Sequence, residues 1–184
     1  MSEIKDSQIS EKDLIQGCIR GDRTAQRRLY DRYAPTMLAL CSRYTGNRDT
    51  AQDVLIEGFL TIFDKIGTYR AQGSFEGWMR RIFINESLMY IRKNDVLRYA
   101  DEIENVPETG LGFESHGVVE KMNADQLMEL IMEMPVGFRS IFNLYVIEGY
   151  SHQEIAEALG ITEGSSRSQL SRGRVWLQER IKKL

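Results

Sequence analysis

Apolar side chains recur every three or four residues along most of this chain, and no segment of strand length alternates between apolar and polar residues. That spacing places apolar side chains on one face of a helix, whereas a half-buried strand requires a period of two. One long run contains Leu55, Phe59, Ile62 and Ile66. A second run contains Trp78, Ile82 and Met89, with the polar Asn85 in the same row. The sequence therefore predicts an all-α protein.

Residues with capping side chains indicate where several helices begin. Asp22 and Ser74 each precede an apolar periodic segment, and their oxygens can accept backbone N–H groups of a first turn. Asp49 and Gln52 have the spacing of a capping box. Pro35 is expected at the first turn of a further helix, where its missing N–H costs nothing.

The helical periodicity disappears between residues 94 and 120. This stretch contains Pro107, several glycines and few large apolar side chains. Residues 99–120 hold six acids and no Lys or Arg. Such a composition is typical of a mobile linker. The chain is therefore predicted to form two small helical domains, 1–93 and 122–184, joined by a flexible acidic linker over 94–121.

The formal net charge of −3 hides two basic segments. Residues 65–98 hold seven Lys/Arg against three acids, and residues 161–184 hold six against two. Both are candidate surfaces for phosphates, although charge alone is also consistent with ordinary solvated helix faces.

Several classes of protein are disfavoured. No apolar run approaches the ~18 residues that span a bilayer, and the polar N-terminus lacks the apolar core of a signal peptide. Cys18 and Cys41 lie in apolar periodic segments and are predicted to be buried thiols of a cytoplasmic protein. With two histidines in the chain, no metal-ligand cluster or cofactor is expected.

The sharpest local pattern covers residues 150–170. Ser151 and Glu154 can form a capping box for a short helix, and the small Ala156 suits a close helix crossing. Gly160 falls at a sharp turn, after which Thr162 can cap a second helix that continues past residue 180. This order is typical of a helix-turn-helix, whose second helix enters the DNA major groove.

That second helix carries a polar, cationic row, for which the alternative is a plain surface helix in a bundle. Arginine can bind guanine through two hydrogen bonds and glutamine can bind adenine, while serine and arginine also hold phosphates. The predicted DNA-reading residues are Arg167, Ser168, Gln169, Ser171, Arg172 and Arg174.

Aromatic residues alternate with arginines in residues 69–85, a mixture that suits single-stranded DNA. Two other interpretations stay open here. Phe75, Trp78 and Ile82 have the spacing of a helical core, and Asn85 could be a buried amide with satisfied hydrogen bonds.

Taken together, the chain resembles the extracytoplasmic-function (group IV) sigma factors over residues ~12–93 and ~122–183. Residues 51–59 (AQDVLIEGF) resemble that family's segment for docking on the β′ clamp helices of RNA polymerase. Residues 75–85 resemble its F-x-x-W-(x)₃-I-(x)₂-N helix, which melts the −10 element and captures a flipped base. The helix-turn-helix resembles its −35-reading module.

The resemblance implies a non-enzymatic factor that binds core polymerase and promoter DNA, with an anti-sigma partner and no small-molecule substrate. By the same resemblance, Asp53, Glu57 and Phe59 dock on polymerase, and the −10 strand is held by Ser74, Phe75, Trp78, Arg81 and Asn85. The alternative is a stand-alone helix-turn-helix regulator.

Three residues depart from the family pattern. Ile56 stands where Gln is usual in the docking segment, which puts one polar contact in doubt. Ser166 replaces an apolar residue of the recognition helix and is expected to loosen its packing. Gly173 replaces an alanine, at a helix-propensity cost of up to ~1 kcal/mol.

Overall fold

A computed structural model describes residues 9–93 and 124–183, and in these ranges all regular secondary structure is helical. The predicted linker, 94–121, lies outside the described residues. The N-terminal range contains α1 (Glu11–Ile19), α2 (Arg23–Thr45), α3 (Arg48–Lys65) with a 3-10 turn (Ile66–Thr68), and α4 (Phe75–Lys93). The C-terminal range contains α5 (Ala124–Glu133), α6 (Val136–Phe142), a π-helical turn (Asn143–Ile147), α7 (His152–Leu159) and α8 (Glu163–Ile181).

By its contacts the chain divides into two compact units. Among the described residues, one unit comprises those up to Cys41 together with Gln52–Glu86, and the other comprises Ser42–Ala51 together with those from Ser87 onward. The predicted all-α class with two helical domains is confirmed, whereas the domain limits at 93 and 122 stay a prediction.

Of the four helix starts predicted in the N-terminal domain, two are confirmed and two are wrong. Asp22 accepts the N–H of Thr24 at 2.8 Å, and Ser74 accepts that of Gly77 at 3.1 Å. α3 begins two residues earlier than predicted, because Asn47 caps it by accepting the N–H of Thr50.

Pro35 lies inside α2 and does not start a new helix. An internal proline removes one backbone hydrogen bond and costs about 3 kcal/mol in an isolated helix. The helix continues because residues on both sides of Pro35, including Tyr33 and Met37, are buried in the core.

The core of the first unit is built from the apolar sides of α1 to α4. Leu29, Ile62 and Met79 have essentially no exposed surface. Cys18 and Cys41 are buried thiols, as predicted. The pKa of Cys18 is raised to about 11, mainly by burial and to a lesser extent by the negative charge of nearby Asp22. Within the described ranges, no helix is long and apolar enough to cross a bilayer.

In the second unit, α8 packs against α6 and α7, and its buried side includes Leu170, Gly173 and Leu177. A Cβ at Gly173 would lie 3.1 Å from the Cβ of Phe138 on α6. The missing side chain therefore permits a close helix crossing as well as lowering helix propensity. Arg139 is also buried here and donates to the carbonyls of Met132 and Met134.

Candidate nucleic-acid interface

The helix-turn-helix forms with the predicted capping. Ser151 Oγ accepts the N–H of Glu154 at 3.2 Å, and the Glu154 carboxylate accepts the N–H of Ser151 at 2.8 Å. These reciprocal bonds satisfy two backbone donors that have no partner inside α7. They also lower the pKa of Glu154, chiefly through its bond with the Ser151 backbone.

The turn between α7 and α8 depends on Gly160. Its φ of +68° lies in the left-handed region, and the N–H of Ile161 donates back to the carbonyl of Ala156 at 3.1 Å. Two residues later, Thr162 accepts the N–H of Ser165 at 3.0 Å and starts α8. The helix-turn-helix prediction is therefore confirmed at its caps and at its turn.

All six predicted DNA-reading residues keep exposed surface, because the buried side of α8 is formed by other positions. Arg167 and Ser171 are exposed, and Ser168, Gln169, Arg172 and Arg174 are half-buried. Whether they contact DNA stays a prediction.

The three arginines of this row have different surroundings. Arg167 makes an exposed ion pair with Glu163 at 2.7 Å. Arg172 is half-buried, with its Nε atom enclosed by the protein. The guanidinium of Arg174 lies 5.9 Å from the centre of the Tyr145 ring, within reach of a cation–π interaction.

In the first unit, a cluster of rings surrounds the start of α4. Phe75 and Trp78 stack at 5.6 Å, and Tyr69 lies 5.1 Å from Phe75 and 5.6 Å from Trp78. Phe75 and Trp78, the two aromatic residues of the predicted motif, differ in burial. Phe75 has no exposed surface, whereas Trp78 is half-exposed. Phe75 therefore supports the Trp78 ring from the core, and its predicted contact with the strand stays a prediction.

The polar residues predicted to accompany Trp78 are at the surface. Arg81 and Asn85 are exposed, and so is Ser74, although its hydroxyl is used as the cap of α4. The interpretation of Asn85 as a buried amide is therefore wrong. An exposed amide is available to form hydrogen bonds with a ligand.

The predicted docking segment on α3 also divides by burial. Asp53 and Glu57 are exposed on one face of the helix. Phe59 is 3% exposed, and its ring contacts Tyr30 at 4.7 Å and Phe83 at 5.3 Å. Phe59 therefore belongs to the core of the first unit, and its predicted part in polymerase docking stays a prediction.

Sequence reasoning missed one member of the α3 surface. Leu60 is 58% exposed, next to Ile56 at 53%. Leu60 follows Asp53 by seven residues and Glu57 by three, so all three share one helix face. Its helical spacing could have identified it. The surface on α3, defined by Asp53, Ile56, Glu57 and Leu60, combines two carboxylates with two exposed apolar side chains.

Sequence reasoning also missed a polar pair, Ser166 and His152. The Ser166 hydroxyl lies 2.8 Å from Nδ1 of His152, although Ser166 itself has no exposed surface. Ser166 was expected to loosen the packing of α8. That expectation is wrong, because the hydroxyl has a hydrogen-bond partner on α7.

A capped helix-turn-helix with a cationic helix, together with a helical unit that presents a supported tryptophan, defines a class of helical DNA-binding transcription proteins. Residues 29–96 match the family described as sigma-70 region 2, and residues 124–177 match sigma-70 region 4. This chain belongs to the sigma-70 family, and its curated relatives include extracytoplasmic-function (ECF) RNA polymerase sigma factors.

The relatives are similar over most of this chain. It is 31% identical to the ECF RNA polymerase sigma factor SigE of Mycolicibacterium smegmatis over 84% of its own length and 61% of SigE. It therefore spans about three fifths of that relative. Identity is 25% to the ECF RNA polymerase sigma-E factor of Haemophilus influenzae, over 96% of this chain and 98% of the relative.

A solved structure shares the fold. The sigma factor RpoE of Bartonella quintana, crystallised with the anti-sigma factor NepR, aligns with a TM-score of 0.50 at 18% identity. The alignment covers 86% of this chain and 96% of that one.

Proposed function

We propose that this chain binds core RNA polymerase, recognises the −10 and −35 elements of a promoter and directs transcription initiation. The observation that carries the proposal is the presence of three distinct surfaces on one chain. They are the cationic row of α8, the Trp78 surface of α4 and the acidic–apolar surface of α3. A stand-alone regulator would use the first of these and has no need of the other two.

The row on α8 has the chemistry of duplex readout. Arginine and glutamine side chains on a helix of this kind read guanine and adenine in the major groove, at about 1–3 kcal/mol for each bidentate pair. The neighbouring serines and the remaining arginines can hold phosphates, which fixes the register of the helix on the duplex. These residues would bind the −35 element.

The surface at the start of α4 has the chemistry of single-strand capture. The half-exposed ring of Trp78 rests on Phe75, so it offers a fixed stacking platform, and base–aromatic stacking contributes about 1–3 kcal/mol per base. Asn85 can hydrogen-bond the edge of an unpaired base, and Arg81 can hold the backbone. These residues would stabilise the open −10 strand.

The surface on α3 would bind the β′ clamp helices of core polymerase. Exposed leucine and isoleucine side chains on the same helix as two exposed carboxylates suit a partner with both apolar and cationic groups. Ile56, which replaces the family's usual Gln, would then add apolar contact in place of a hydrogen bond.

The proposed mechanism assigns no covalent chemistry, cofactor or small-molecule substrate to this chain. It would act in the cytoplasm, where core polymerase is found. An anti-sigma factor is the expected regulator, since the Bartonella quintana relative was crystallised with one.

Run-off transcription with purified core polymerase on a library of genomic promoters tests the proposal. We expect transcripts that depend on adding this chain and that share sequence motifs upstream of their start sites. If the chain supports no transcription with active core, yet binds specific duplexes alone, the stand-alone regulator is the better description.

A further inference from the structure

The helix-turn-helix contains a polar contact between two residues that are not among the predicted DNA-reading residues. Ser166 faces the core side of α8 with no exposed surface, and its hydroxyl lies 2.8 Å from Nδ1 of His152. A buried hydroxyl without a hydrogen-bond partner is destabilising, so this bond favours one placement of the two groups. It joins the first turn of α7 to the first turn of α8.

The imidazole of His152 is fixed from a second side. It stacks on the ring of Tyr145, with centroids 4.5 Å apart and planes at 23°. Tyr145 belongs to the π-helical turn that precedes α7, and the same ring lies 5.9 Å from the guanidinium of Arg174 on α8. Three consecutive elements of the domain are therefore connected through one histidine and one tyrosine.

We propose that His152 and Tyr145 are positioning residues for sequence recognition: His152 fixes the start of α8 through Ser166, and Tyr145 holds Arg174. This inference rests on the proposed reading of a −35 duplex by α8. It makes specificity depend on two residues that need not touch a base. It also explains the buried Ser166, because histidine and serine form a matched polar pair across the two helices.

The charges around His152 favour a neutral ring. Burial lowers the pKa of His152. The positive charges of Arg167 and Arg174 on α8 lower it further, and the negative charge of Glu163 on the same helix raises it. Because its pKa is below the usual histidine value, the ring is neutral at pH 7, with one N–H donor and one acceptor nitrogen. A neutral ring can thus bond Ser166 and stack on Tyr145 without placing a third cation beside the two arginines.

A double-mutant cycle on the holoenzyme tests the His152–Ser166 pair. The variants are His152→Phe, which keeps a ring on Tyr145, Ser166→Ala, and both together. Gln153→Ala is the matched control, because Gln153 is exposed on the same turn of α7 and bonds only Glu157 among the contacts described. The probes are a duplex selected with wild-type holoenzyme and a shuffled duplex of equal length. The readout is the specificity ratio, which is the dissociation constant for the shuffled duplex divided by that for the selected duplex. It is measured under conditions in which every variant has wild-type helical circular dichroism.

Each single substitution is expected to lower this ratio about three- to tenfold, the range of one hydrogen bond, and the double variant should lose no more than the worse single. The control should keep the wild-type ratio. The pairing is overturned if the losses simply add, or if both single variants keep the ratio. It is also overturned if affinity for the shuffled duplex falls by the same factor.

The Tyr145 arm is tested by a conservative rescue. Tyr145→Phe keeps the ring and should retain the ratio, whereas Tyr145→Leu should lower it as much as Arg174→Ala does. If the Tyr145→Phe and Tyr145→Leu variants have the same specificity ratio, the proposed role of Tyr145 in positioning Arg174 is overturned. A wild-type holoenzyme that does not distinguish the two duplexes would instead contradict the proposed function itself, so the two failures are distinguishable.

Discussion

Trp78 stacks on Phe75 with ring centroids 5.6 Å apart and planes at 22°, and of the two only Trp78 has exposed surface. The buried ring fixes the exposed one, so Trp78 does not have to be ordered when a base stacks on it. Preorganisation of this kind reduces the entropy lost on binding. Substitutions at the two positions should therefore have different effects. Replacing Phe75 should lower stability, whereas replacing Trp78 should weaken strand capture.

Asn85 lies on the same helix and tests strand capture most directly. Asn85→Ala should change the free energy of unfolding by no more than about 0.5 kcal/mol, because the side chain is exposed. We expect it to keep duplex binding by the holoenzyme but to lose permanganate-reactive thymines near the start site. Met89→Ala, one turn further along and also exposed, is the control. Normal opening by the Asn85 variant would remove this residue from the −10 surface.

The surface on α3 predicts the outcome of charge reversal. Asp53→Lys combined with Glu57→Lys should abolish core binding in a pull-down, because both carboxylates lie on one exposed face. Helical circular dichroism should not change. Asp13→Lys combined with Asp31→Lys makes the same change in net charge at two other exposed sites and should bind normally. Wild-type recovery of core by the Asp53/Glu57 variant would show that docking uses another surface.

Arg172 provides a test of duplex reading. Arg172→Ala should cost about 1–3 kcal/mol in binding to the selected duplex and relax preference at one position, if the guanidinium makes a bidentate base contact. Arg180→Ala removes the same charge near the end of α8, where Arg180 lies over Trp176, and should leave preference unchanged. A loss that is uniform across promoter variants would make Arg172 a phosphate contact.

The lowered pKa of His152 predicts a pH-dependent stability. The unfolded chain takes up a proton at the usual value of 6.5, whereas the folded chain takes it up only at lower pH. The unfolded state therefore binds more protons in this window, and stability is lost as pH falls through it. The melting-temperature difference between wild type and His152→Phe should shrink from pH 7.5 to pH 5.5. A constant difference would show that His152 titrates alike in both states.

The charge distribution predicts how the isolated chain treats DNA. The net charge is −3, and residues 99–120 add six acids between the two basic segments. Since non-specific affinity grows with the number of phosphates neutralised, the free chain should bind promoter DNA negligibly at physiological salt. Adding core polymerase should produce strong binding, which an electrophoretic shift assay with and without core measures. Tight specific binding by the free chain would favour a stand-alone regulator.

Local hydrogen bonding made much of the helix-turn-helix predictable from sequence. The Ser151–Glu154 box, the left-handed Gly160 and the Thr162 cap each depend on groups no more than five residues apart. Such interactions are specified by residue type and spacing, so a reading of the chain finds them. The same reasoning placed α4 between Ser74 and Lys93. At the start of α3, by contrast, the capping-box spacing predicted Asp49, whereas Asn47 is the residue that caps the helix.

Burial was decided only by the tertiary structure. Phe75 and Trp78 are three residues apart in one motif, yet contacts from other helices bury the first and leave the second at the surface. For the same reason Phe59 is buried, while Asn85 is exposed. The bond between Ser166 and His152 spans fourteen residues and depends on how α7 crosses α8. Helical spacing determines which residues share a face, but the packing of neighbouring helices determines how much of that face reaches solvent.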